Sequence, residues 1–287
     1  MYSATLEFMS LLLAYTAALG CSLCNGISTV QQKIGADHSA KSRDFDIFLL
    51  LRLFKNAPYL LGTILEIGGY GLSLVALRVL PLFLVQSLIA ASVLVTAFGE
   101  RVFLRKSLGV RTYQSLLIVV LGVILLSVSA LSGHATLGNN VARSEVELLP
   151  IPILFIGILC IHIRGRVSAF TLAALSGIAF GNTSTIGRIL IYPHPLWNIA
   201  LNPMLYSLIS SAVLGQYLFI VSLQRTTATR SNAIMIALQT LCPAFFGLLY
   251  FGDRIRPGFE LFVFTGSILV ILGSALTAVD EPPGATI

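Results

Sequence analysis

Glu66, in the stretch GTILEIGGYG, is a carboxylate placed well inside an apolar run of this 287-residue chain. Holding an acid near the centre of a bilayer costs about 2.5–3.5 kcal/mol on insertion scales, so such residues usually face a cavity and do chemistry. Glu66 is therefore the candidate proton or cation carrier; the alternative is a Glu that ties helices together. Two amides stand at matched places: Asn25 closes Gly20-CSLC-Asn25, and Asn182 closes Gly177-IAFG-Asn182, with identical spacing. An amide in hydrocarbon either lines a cavity or bonds a neighbouring helix for under ~2 kcal/mol. The same two readings apply to Gln86 and Gln239. With Tyr70, these four amides are the candidate cavity-lining residues.

Other polar groups carry weaker signals. Gly68-Gly69-Tyr70-Gly71 reads as a close-packing helix face rather than a phosphate loop. Glu100 and Asp253 each precede an Arg at the end of an apolar run, and read as interfacial ion pairs that stop helices. His38, His134, His162 and His194 are scattered, and Cys21, Cys24, Cys160 and Cys242 lie in apolar segments as small packing residues. No metal site and no cofactor is expected. Enzymatic chemistry would need paired carboxylates, clustered His or a nucleophile beside a base, and the apolar runs supply none, so the chain is not expected to be an enzyme.

The elements that must position these residues are membrane helices. The chain is 56% hydrophobic and 10% charged, against about 25% charged in soluble domains. Its apolar runs reach the ~20 residues needed to cross a bilayer, and they lack the short alternating strands of a barrel. Nine spans are predicted, over 8–30, 58–77, 81–99, 112–130, 147–163, 168–190, 203–223, 231–251 and 259–278. Residues 47–56, IFLLLRLFKN, are too short to span and read as an interfacial amphipathic helix. The polar, Pro-rich tail DEPPGATI is expected to fray, and the N-terminus lacks the form of a signal peptide.

The net charge of +6 fits Lys and Arg retained on the cytoplasmic side better than a nucleic-acid surface. Thirteen of the eighteen Lys and Arg fall on the side that holds the C-terminus. The expected placement is a multi-pass protein of the cell membrane, with the N-terminus outside and the C-terminus cytoplasmic.

The chain also repeats itself. Gln86-Ser87-Leu88 precedes Phe98-Gly99-Glu100-Arg101, and Gln239-Thr240-Leu241 precedes Phe251-Gly252-Asp253-Arg254, with Gln and acid equally spaced in both. Ser87 and Ala91, like Thr240 and Ala244, form small-xxx-small faces that let helices approach. The runs GVILLSVSAL at 122–131 and GSILVILGSAL at 266–276 agree in character, and Pro243 in the second copy is expected to kink its helix. The units are residues 1–131 and 168–287, four helices each, with 132–167 as a linker carrying the fifth helix. An odd number of crossings separates equivalent helices, so the two units are inverted. Inverted repeats are the architecture of many secondary transporters.

The residues ALRVLPLFLVQSLIAASVLVTAFGERVFLRKSLG, with LQTLCPAFFGLLYFGDR, resemble the drug/metabolite transporter superfamily, in which an "AL…P" turn leads into a helix ending in a Gly-Glu-Arg-like corner. A weaker resemblance, through VQQKIG and GTILEIGGYG, is to NIPA-type magnesium transporters. The inverted repeat and the single deep carboxylate point to a secondary transporter that moves a small metabolite or drug-like compound by alternating access, with proton-coupled export as its candidate mode. The superfamily's own proton-coupling Glu, in the first helix, has no counterpart here. A magnesium transporter and a non-transporting structural subunit are the alternatives. The expected partners are the lipid bilayer and a small-molecule or ion substrate, with no nucleic acid; oligomeric state is left open.

Overall fold

The computed structural model describes residues 2–38, 49–77, 85, 89–105, 109–131, 140–163, 165–190, 202–250 and 254–279. Gln86, Asp253, His134, His194 and the tail lie outside them. In chain order the helices are α1 (Tyr2–Asp37), α2 (Leu49–Leu53), α3 (Ala57–Leu77), α4 (Ser92–Phe103) and α5 (Val110–Ser129). They continue with α6 (Asn140–Leu148), α7 (Pro150–His162), α8 (Arg166–Leu190), α9 (Pro203–Arg225), α10 (Ala228–Tyr250) and α11 (Glu260–Val279). Two two-residue strands, β1 (Ala130–Leu131) and β2 (Arg254–Ile255), pair antiparallel after α5 and before α11. The described chain is otherwise helix, turn and irregular segments.

Three stretches are long and apolar enough to cross a membrane: Met9–Asp37, Ser144–His162 across the α6–α7 junction, and Pro203–Arg225. Val110–Leu126 and Glu260–Gly273 are shorter apolar helices. Outward positions carry large hydrophobic side chains such as Leu13, Ile67, Phe98, Leu159 and Leu261, each 62–67% exposed, while Thr96, Glu100, Asn182 and Asn232 are buried. Apolar surface this extensive suits lipid rather than water.

Local chemistry sets the helix ends. Asn202 caps α9 by accepting from the Met204 N–H at 3.0 Å, and Pro203 occupies the first turn, where its missing N–H costs nothing. Gly165, at φ +113°, makes the tight reversal between α7 and α8. Arg225 then donates to the Ile163 and Ile161 carbonyls at 3.2 and 2.8 Å, satisfying the orphan acceptors of α7.

The helices pair by one scheme in both halves. α1 packs on α3 and α4, α8 packs on α9 and α10, and α5 packs on α11 across the halves. The α5–α11 seam is built on glycines: a Cβ at Gly122 would lie 2.8 Å from the Gly266 carbonyl oxygen, and one at Gly273 would lie 2.9 Å from the Val119 nitrogen.

Several boundaries differ from the sequence reading. α1 runs past the predicted 8–30 through the basic stretch VQQKIG, because Lys33 is neutralised inside the protein. Its ammonium lies 2.6 Å from Asp37 Oδ1 and donates at 2.6 Å to the Leu223 carbonyl. The predicted interfacial helix is a single turn, α2, with Leu49 and Leu53 buried. The predicted fifth span, 147–163, falls on two helices that meet at Leu149, before Pro150. α10 continues as one element through Pro243.

Candidate functional site

Glu66 sits on α3 opposite Gln32 of α1. The Gln32 Nε2–H donates to Glu66 Oε2 at 2.7 Å and lies 3.2 Å from Ser28 Oγ one turn away. Gly62 makes this approach possible. It precedes Glu66 by one helical turn on the same face, and a Cβ there would lie 2.8 Å from Gln32 Cγ and 2.9 Å from the Ser28 carbonyl oxygen. Gln32 is 1% exposed, and its Oε1 has no hydrogen-bond partner.

That orphan oxygen gives the pair two usable states. An ionised Glu66 is an acceptor and takes the amide N–H. A protonated Glu66 carries an O–H that needs an acceptor, which Gln32 Oε1 supplies when the amide turns over. A divalent cation would find one carboxylate and, with the amide turned over, one amide oxygen, so most of the oxygen shell that magnesium wants would have to be water.

Asn25 lies on the same α1–α3 seam, where its Oδ1 is 2.7 Å from the position a Cβ at Gly69 would take. Within the glycine cluster only Gly69 makes close contact; Gly68 and Gly71 have nothing within 4 Å of their Cβ positions. At 100° per residue, three glycines spread over four positions cannot all face one neighbour. Tyr70 is 44% exposed, and its hydroxyl lies 3.2 Å from the Cβ position of Gly187 on α8, so it reaches the second half of the chain. Tyr59 also reaches across, with its hydroxyl accepting from Gln216 Nε2 of α9 at 3.3 Å.

Asn182 has other partners. Its Nδ2 donates at 3.0 Å to the Val146 carbonyl of α6 and at 3.0 Å to Ser211 Oγ of α9, so it ties two helices of the second half to the linker helix α6. Asn25 thus stands on the α1–α3 seam and Asn182 on the α8–α9 seam, and of the two only Asn25 shares a seam with Glu66. Gln239 is partly buried on α10, its carbonyl oxygen 3.4 Å from the Cβ position of Gly181. Gln86 lies outside the described residues.

Glu100 is the clearest correction. It is not an interfacial ion pair with Arg101: it is 0% exposed, and Arg101 is exposed. Its carboxylate accepts from the Ala228 N–H at 3.0 Å, the Thr229 N–H at 2.9 Å and the Thr229 hydroxyl. Glu100 therefore caps the N-terminus of α10, where orphan donors and the helix dipole both favour an anion. Sequence reasoning missed this contact, and it missed Gln32 and Lys33. For Glu100 the signal available was TTAT at 226–229, a run of small polar residues at a helix start. For Gln32 it was a second amide two turns after Asn25. Compared with known proteins, the chain matches no protein-family model, no curated protein and no solved structure.

Proposed function

We propose that this chain is an integral membrane secondary transporter that moves a small metabolite or drug-like compound by alternating access, with Glu66 carrying a proton. The observation that carries this reading is the Glu66–Gln32 contact: a partly buried carboxylate on one apolar helix, held at 2.7 Å by a buried amide of the next. This pair has a spare acceptor for the proton-loaded form.

The repeated segments add a second line of support. Units related by inversion transport by rocking one against the other around a site at their interface, and the two halves here share one packing scheme. On this reading the chain makes nine crossings of the cell membrane, with the cation-rich end cytoplasmic. The magnesium alternative draws less support, because the contact offers one carboxylate and at most one amide oxygen of the oxygen shell a magnesium ion needs.

The test is flux in sealed vesicles under an imposed pH gradient, across a panel of amphipathic metabolites, with magnesium as a separate arm. The proposal predicts gradient-driven accumulation of at least one organic solute. Magnesium flux without any solute flux would replace it with the metal reading.

A further inference from the structure

We infer that Glu100 is the latch of a gate between the two halves, and that the structure holds this gate shut at the end where α4 and α9 finish and α10 begins. The inference rests on the alternating-access reading. Side-chain contacts across the halves gather at that end. Besides the Glu100 cap, Asn232 Nδ2 of α10 donates to Thr96 Oγ1 of α4 at 2.8 Å, Lys33 reaches the Leu223 carbonyl, and Gln224 Nε2 donates to the Ala36 carbonyl at 3.4 Å. The opposite end of α5 is joined to the second half by the backbone pairing of β1 with β2.

Two features make Glu100 a latch rather than another helix tie. First, it is fully buried, and its acceptor oxygens are engaged by the other half, so separation at this end would leave a carboxylate and two helix-start N–H groups to be taken up by water. A charged acceptor on orphan amides holds strongly while water is excluded and loses little once water enters. Such a contact favours two discrete arrangements, shut and open, over partial separation. Second, Glu100, Thr96 and Ser92 stand at i, i−4 and i−8 on α4, all 0% exposed, so one stripe of that helix leads inward from the latch.

Two buried serines make this testable. Ser92 and Ser176 are both 0% exposed, and the hydroxyl of each lacks a hydrogen-bond partner, so a cysteine replaces either without breaking a bond. Ser92 lies two turns along α4 from the latch, its carbonyl oxygen 2.9 Å from the Cβ position of Gly26 on α1. Ser176 faces α9 within the second half, its carbonyl oxygen 3.4 Å from the Cβ position of Gly215.

The experiment places Ser92→Cys or Ser176→Cys in the full chain with Cys21, Cys24, Cys160 and Cys242 replaced by alanine. A membrane-impermeant maleimide is applied to vesicles of both orientations. Glu100→Gln keeps one acceptor but sets an amide against the helix-start donors, and should raise labelling at position 92 by about tenfold, from one side of the membrane only. Labelling at position 176 should not change. An unchanged rate at 92, or equal rises at 92 and 176, overturns the latch. Should Glu100→Gln fail to reach the membrane, Thr229→Val removes the hydroxyl donor alone and must still raise labelling at 92 by about threefold; no rise overturns the inference. Labelling needs no substrate, so a failure to find any transported solute would remove the transport reading and leave this result standing.

Discussion

Gly122→Ala tests the seam that joins the two halves through α5 and α11. The new Cβ would lie 2.8 Å from the Gly266 carbonyl oxygen, 2.8 Å from the Val270 nitrogen and 2.8 Å from Val270 Cγ2. Two of these atoms are backbone, so no rotamer change relieves the crowding and the helices must move apart. Overpacking of this kind costs about 1–3 kcal/mol, offset in part by the roughly 1 kcal/mol that Ala gains over Gly in a helix. The net loss should be about 0–2 kcal/mol. Gly68→Ala is the matched control, since nothing lies within 4 Å of its Cβ position and the propensity gain of up to about 1 kcal/mol acts alone. The assay is denaturant unfolding of both purified variants in the same detergent. Equal shifts, or a stabilised Gly122→Ala, would refute the α5–α11 packing.

Asn182→Leu should destabilise by about 1–3 kcal/mol, because the buried Val146 carbonyl and Ser211 hydroxyl both lose a donor; thermal midpoints in detergent would read this. Gly62→Ala should lower gradient-driven flux more than Gly69→Ala. Its Cβ would meet the Ser28 carbonyl oxygen and the Gln32 backbone, whereas at Gly69 the nearest atom is the movable end of Asn25. Gln32→Leu should reduce proton-coupled flux about tenfold by removing the donor to Glu66, with Gln32→Asn restoring part of it.

Much of the helical organisation was legible because long apolar runs bounded by polar residues and Pro mark helices, and α3, α5, α8, α9, α10 and α11 begin and end near the expected limits. The errors fall where tertiary contacts override local pattern. Lys33 looks like the end of a span until Asp37 and the Leu223 carbonyl are seen to hold it inside. Glu100 looks like a helix stop beside Arg101, because the helix start it caps lies more than a hundred residues on. The runs at 122–131 and 266–276 were legible as apolar and alike in character. That they pack on each other through Gly122, Gly266 and Gly273 depends on how the halves associate, which neither run encodes alone. Glu66 was visible as a deep acid, and Asn25 and Asn182 as a matched pair. The amide that holds Glu66 was not, since Gln32 sits in a stretch that reads as basic and terminal.

The most direct test of the central claim is proton movement tied to Glu66. Chain reconstituted in liposomes with a trapped pH-sensitive dye, and supplied with a solute that the vesicle panel shows to be carried, should move protons as that solute runs downhill. Glu66→Gln should abolish the pH change, and Glu66→Asp should keep a reduced one. Proton movement of full size in Glu66→Gln would contradict the account.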